Sequence, residues 1–147
     1  MAAPLPRRVT SGMSGLQPLL EGDFYEGAYG PSILLVLTSR EAVAWLRSIF
    51  DDLARASIGA VFRLDSQPRV AIGAALTALE LRRVEDTPTR HLVQAPDGTF
   101  TWSCTADEWQ TASLMLEPLL KQSGHQYLTS ETDDDATIEV SYGEDHG

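Results

Sequence analysis

Apolar positions along this chain recur in three rhythms, and each predicts a different element. Ile33-Leu34-Leu35-Val36-Leu37 is an unbroken apolar run of strand length, which predicts a central strand covered on both faces. Before it, Leu19 to Glu26 alternates, and the turn-rich stretch Gly27-Ala28-Tyr29-Gly30-Pro31 joins the two segments. Leu19–Glu26 and Ser32–Thr38 therefore read as a β-hairpin. The rhythm then changes. Ala42, Trp45, Leu46, Ile49, Phe50 and Leu53 recur at intervals of three and four and fall on one stripe. Thr38 and Glu41 stand at capping-box spacing, so the pattern predicts a helix over 39–55 that begins at Thr38. Arg47, Asp51 and Arg55 sit four apart on its polar side and predict two ion pairs.

Between 57 and 73 the pattern weakens. Ile58, Val61, Phe62 and Leu64 suggest a short strand, which Gln67-Pro68 ends. Leu76–Val84 alternates again, with Leu79 and Leu81 facing in and Glu80, Arg82 and Arg83 mostly facing out. A second hairpin is predicted from Arg90–Gln94 and Thr99–Cys104, because Pro96-Asp97-Gly98 combines a fixed φ with a residue that accepts a positive one. Thr105 and Glu108 repeat the capping-box spacing, and Trp109, Ala112, Leu116 and Leu119 continue a helical stripe over 106–122. Pro118 inside that span removes a backbone donor, so the helix should kink, or end and restart near Glu117, with Gly124 as a left-handed stop. A third hairpin follows, Gln126–Thr129 with Thr137–Tyr142, around the acidic loop Glu131–Asp135; Ile138, Val140 and Tyr142 share one face.

The order of these elements implies an α+β fold: an antiparallel or mixed sheet of hairpins with two helices packed on one face, a two-layer sandwich. Thr38–Glu41 with Trp45 and Thr105–Glu108 with Trp109 each follow a hairpin and open a helix. A duplicated ββα unit would explain that; two independently capped helices explain it more plainly. Residues 1–17, rich in Pro, Ser and Gly, read as a flexible leader, and 18–147 as one globular domain.

Charge narrows the function classes. The formal net charge is −10, and Thr105–Gly147 holds Asp107, Glu108, Glu117, Glu131, Asp133, Asp134, Asp135, Glu139, Glu144 and Asp145 against the single base Lys121. Nearly all the excess therefore lies in the last third. Such a surface repels phosphate backbones, and no block of Lys or Arg forms a basic stripe, so nucleic acid is not an expected partner. No apolar run approaches the roughly 20 residues of a bilayer span, so no membrane is expected either. Val9–Gln17 is too polar for the apolar core of a secretory signal, and one cysteine cannot make an intramolecular disulfide, so a cytoplasmic, bacterial-type protein is expected.

Candidate chemistry is sparse. His91, His125 and His146 lie far apart in sequence with no cysteine or glutamate at metal-ligand spacing, so neither a metal nor a cofactor is implied. Cys104 reads as a small buried hydrophobe, and it would become a nucleophile only if the fold brought a histidine to it. Asp133-Asp134-Asp135 lacks the alternation of a calcium loop and reads as a solvated tip. Trp45, Trp102 and Trp109 read as core. No catalytic residue is assigned.

What remains is an acidic, non-enzymatic protein-binding module of inhibitor or immunity type that masks a basic protein partner. Its expected docking residues are Glu131, Asp133, Asp134, Asp135, Glu139, Glu144 and Asp145, with Tyr127 and Tyr142 as aromatic anchors. Two alternatives stand beside it. One is a small enzyme or ligand-binding domain using His91 or His125 with acidic partners in a cleft between helix and sheet. The other is a homo-oligomeric scaffold joined through an edge strand of the last hairpin.

Overall fold

A computed structural model describes residues 18–27, 30–128 and 137–143. The chain begins with the antiparallel hairpin β1 (Leu20–Gly27) and β2 (Gly30–Leu37), followed by α1 (Arg40–Arg55). Three short or medium strands come next: β3 (Val61–Arg63), β4 (Val70–Ile72) and β5 (Ala78–Arg83). The second hairpin is β6 (Leu92–Gln94) with β7 (Thr99–Cys104), leading into α2 (Ala106–Met115). The third is β8 (Gly124–Tyr127) with β9 (Thr137–Tyr142). All three expected hairpins and both helices are present, and the fold is mixed α+β.

The strands divide into two sheets. One has the order β4-β1-β2-β9-β8, the other β3-β5-β7-β6, and both mix parallel with antiparallel pairs. The helices make two of the crossings between the sheets, and the chain also crosses without an α-helix to place β4 in the first sheet, between β3 and β5 of the second in chain order. A parallel neighbour requires a long crossover, and α1 carries the chain from β2 of the first sheet to β3 of the second. In return, α2 carries it from β7 of the second sheet to β8 of the first. Among the described residues the edge strands β3, β4, β6 and β8 have only three or four residues each, which limits the template they offer to another chain.

Both helices and the inner faces of both sheets meet in one core. Phe50 of α1 packs edge-on against Trp102 of β7, with ring centroids 5.4 Å apart, and lies 5.3 Å from Trp109 of α2. Trp102 and Trp109 are themselves 4.8 Å apart, and all three side chains are fully buried. Phe24 and Phe100, at 5.0 Å, join β1 to β7 and so tie one sheet to the other. The Trp109 indole N–H donates to the Arg82 carbonyl at 3.0 Å, so this large ring is buried without leaving its polar atom unmatched.

Several local details differ from the sequence pattern. The cap of α1 is Ser39, whose hydroxyl accepts from the Ala42 N–H, because the Thr38 hydroxyl instead donates to the Pro18 carbonyl at 2.6 Å. Thr38 is thus used to hold the chain entering β1. The expected pairs along α1 are replaced: Arg47 donates to the Ser113 carbonyl near the end of α2, and Arg55 pairs with Asp52 at 2.9 Å. A guanidinium at a helix C-terminus meets the exposed carbonyls there, which favours the interhelical arrangement. Pro118 ends α2 as expected, and a 3₁₀ turn at Glu117–Leu120 follows. Gly124 opens β8 and does not cap the helix. Ile58 is exposed and precedes β3. β2 is central, but only Ile33, Leu35 and Leu37 reach the core, while Leu34 and Val36 are half-buried on the opposite face.

Candidate functional site

The second hairpin and α2 build a cleft. β7 alternates strictly, with Phe100, Trp102 and Cys104 pointing inward, so Cys104 is the last inward residue before the helix cap. Thr105 then caps α2 through the full capping box: its hydroxyl accepts from the Glu108 N–H, and Glu108 Oε1 accepts from the Thr105 N–H at 2.9 Å. That reciprocal pair fixes the Glu108 carboxylate above the end of β7. His91 precedes β6 and extends its ladder by one bond, its carbonyl accepting from the Ser103 N–H at 2.8 Å. The ring is almost fully buried, and its Nε2 donates to Glu108 Oε2 at 2.9 Å. The Thr87 hydroxyl reaches the same oxygen at 3.3 Å.

One ligand atom from each of His91, Cys104 and Glu108 lies within 4.8 Å of the other two. Burial pushes the Glu108 carboxyl up, but the bonds from the Thr105 N–H, His91 and Thr87 outweigh it and hold the group below its ordinary value. It is a fixed anion. Beside the cluster opens a cavity of about 280 Å³, lined by the α2 residues Asp107, Thr111, Ala112 and Met115 and by Tyr127 and Leu128 at the end of β8. One histidine, one thiol and two carboxylates therefore face a space between a helix and the neighbouring edges of two sheets. The sequence offered His91 with acidic partners in a cleft between helix and sheet as one alternative, but not which residues join it, because the hairpin loop and the capping box, and no spacing motif, bring Cys104 and Glu108 to it. Cys104 is buried as expected, but it is buried beside a histidine.

The open face of the five-stranded sheet is the second place where polar groups gather. Residues in register share a face, so Glu21, Asp23 and Tyr25 of β1 lie beside Ser32, Leu34 and Val36 of β2. Thr137, Glu139 and Ser141 of β9 follow, and then His125 and Tyr127 of β8. None of its described strand positions is Lys or Arg; its middle, at Ser32, Glu139 and Ser141, is buried, and exposure is confined to the β1 and β8 flanks. Glu21 and Asp23 are exposed, as are Tyr25 at 43% and Tyr127 at 53%. His125 stacks edge-on against Tyr127 with centroids 5.4 Å apart.

Of the docking residues expected from sequence, Glu139 and Tyr127 are in-register neighbours on this face. Glu139 is only 9% exposed, so it adds negative potential more than contact area. Tyr142 belongs to the opposite side: it pairs with Leu37, is half-buried and packs against the core, which corrects its reading as a surface anchor. Glu131, Asp133, Asp134, Asp135, Glu144 and Asp145 lie outside the described residues. Glu21, Asp23 and Tyr25 were missed, although the alternation of Leu20, Gly22 and Phe24 with them already placed them on the polar side of a strand.

No helix among the described residues is long and apolar enough to cross a membrane. Comparison with protein-family models, with curated proteins and with solved structures finds no match.

Proposed function

We propose that this chain is a non-enzymatic, acidic protein-binding module that covers a basic protein partner with the open face of its five-stranded sheet. The observation that carries the reading is the composition of that face: Glu21, Asp23 and Glu139 beside exposed Tyr25 and Tyr127, with no Lys or Arg among the described strand positions. Carboxylates with no Lys or Arg among the described strand positions beside them attract a cationic surface from a distance, and aromatic side chains supply desolvated contact once it arrives. The β8–β9 connection, which carries Glu131, Asp133, Asp134 and Asp135, springs from two strands of the same sheet. An inhibitor or immunity-type protein that masks a cationic active site requires this combination of charge and contact.

The test is capture from the native source by the wild-type chain and by Glu21→Lys/Asp23→Lys. The reading expects a protein of net positive charge that is retained at low salt, released at high salt and lost from the variant. Equal capture by both chains would overturn it.

A further inference from the structure

The geometry points to a second site, whose adjoining cavity shares Tyr127 with the docking face but whose ligands lie elsewhere: we propose that His91, Cys104 and Glu108 hold one zinc-class divalent cation, with a fourth position left to water in that cavity. The donor set is one imidazole nitrogen, one thiolate sulfur and one carboxylate oxygen, a mixture that suits a borderline-soft ion and not the all-oxygen shell of calcium or magnesium. A tetrahedral zinc site places its ligand atoms about 3.3–3.8 Å apart, given bonds of about 2.0–2.3 Å. The three atoms already lie within 4.8 Å of one another, and the sulfur stands about 3.5 Å from each other ligand in such a site, so the required inward movement is at most about 1.3 Å. The His91–Glu108 contact, at 2.9 Å, has to open by a few tenths.

The capping box makes that movement possible without unravelling the helix. Glu108 Oε1 keeps its bond from the Thr105 N–H, while Oε2, now shared by His91 and Thr87, is the oxygen free to turn toward the ion. On binding, the Cys104 thiol proton leaves to solvent; the His91 Nε2 proton, now directed at Glu108, is given up to solvent and Nδ1 takes one from solvent in exchange, so that the imidazole remains neutral and Nε2 is free to ligate.

The alternative use of the same residues, a histidine-activated thiol nucleophile, fits less well. Asp107 and Glu108 both border the cavity, and two carboxylates disfavour a free thiolate while they attract a cation. Three protein ligands beside an open cavity also match the arrangement in which a zinc ion retains a site for water or a small ligand.

Cys104 is the one cysteine in the chain, which makes the test specific. The full reduced chain, stripped with a chelator, is titrated with cobalt(II) and the monomer fraction is read for thiolate-to-cobalt charge transfer. A band that zinc abolishes by displacement is expected, together with zinc protection of Cys104 from alkylation in the unmutated protein. Cys104→Ser should remove the band, and His91→Ala and Glu108→Gln should each weaken binding by about tenfold or more. Absence of the band, its persistence at full strength in His91→Ala, or alkylation at the same rate with and without zinc would overturn the assignment. The protection measurement needs no variant, so a substitution that unfolds the chain leaves the test intact.

Discussion

Asp65 offers a stability prediction that can be worked through from its contacts. β3 ends at Arg63, so the Leu79 N–H, the next donor along β5, has no strand acceptor, and Asp65 Oδ1 takes its place at 2.9 Å. The same carboxylate receives both Nε and Nη2 of Arg63, at 3.2 and 3.0 Å. Leu79 is fully buried. Asp65→Ala therefore strands a buried backbone donor, at a cost of about 1–3 kcal/mol. It also breaks an ion pair whose arginine is largely exposed, which adds about 1 kcal/mol at most. The expected total is about 1–4 kcal/mol. Asp65→Asn keeps an acceptor for Leu79 and loses only the charge assistance, about 1 kcal/mol.

Acidification separates these contributions. Burial pushes the Asp65 carboxyl up, but the bonds from Arg63 and the Leu79 N–H outweigh it and leave the folded-state value below the ordinary one. A depressed folded value means that the stabilisation is complete above the unfolded carboxyl's range and is lost as pH falls through the folded value. The gap between wild type and Asp65→Asn should accordingly narrow on acidification through that window. Urea unfolding of wild type and both variants, at neutral and acidic pH, reads all three quantities. Equal costs for Ala and Asn, or a gap that does not change with pH, would refute the reasoning.

Two further predictions concern the core and the helix cap. Phe50→Ala removes the ring that touches both buried tryptophans and should cost about 3–5 kcal/mol in denaturant unfolding, whereas Tyr25→Ala on the open face should stay within about 0.5 kcal/mol. Thr105→Ala deletes the hydroxyl half of the capping box and should cost about 1 kcal/mol. In thermal unfolding that corresponds to a midpoint lowered by about 2–4 °C for a chain of this size.

Strand and helix order was legible because each element carries a strong rhythm of its own. The apolar stripe of α1, the alternation of β7 and the Pro96-Asp97-Gly98 turn are local signals, and Gly98 adopts the positive φ of 94° that the turn requires. Partner choice was not legible. Nothing in Leu35 or Val140 states that they are neighbours in a parallel pair, or that β3 leaves the sheet of the hairpin before it. The cap of α1 moved by one residue because Thr38 had a better acceptor, the Pro18 carbonyl, twenty residues away. The partners of His91 in the cleft were hidden for the same reason. Glu108 was recognised as a capping residue, but its second oxygen meets His91 only through the pairing of β6 with β7. Charge counting pointed to the last third of the chain, and β1, from the opposite end, adds Glu21 and Asp23 to the same sheet face as Glu139.

The central claim is that a basic protein meets the open acidic face, and the association rate of the purified partner tests it most directly. Glu21→Lys/Asp23→Lys and Glu85→Lys/Asp86→Lys change the net charge equally, but only the first pair lies on that face; Glu85 and Asp86 follow β5 of the other sheet. Reversal on the face is expected to slow association by about tenfold or more at low salt, within the range of electrostatic steering, while reversal at Glu85 and Asp86 leaves it nearly unchanged. Equal slowing by both pairs would show that total charge alone governs the encounter, and would contradict the assignment of the face.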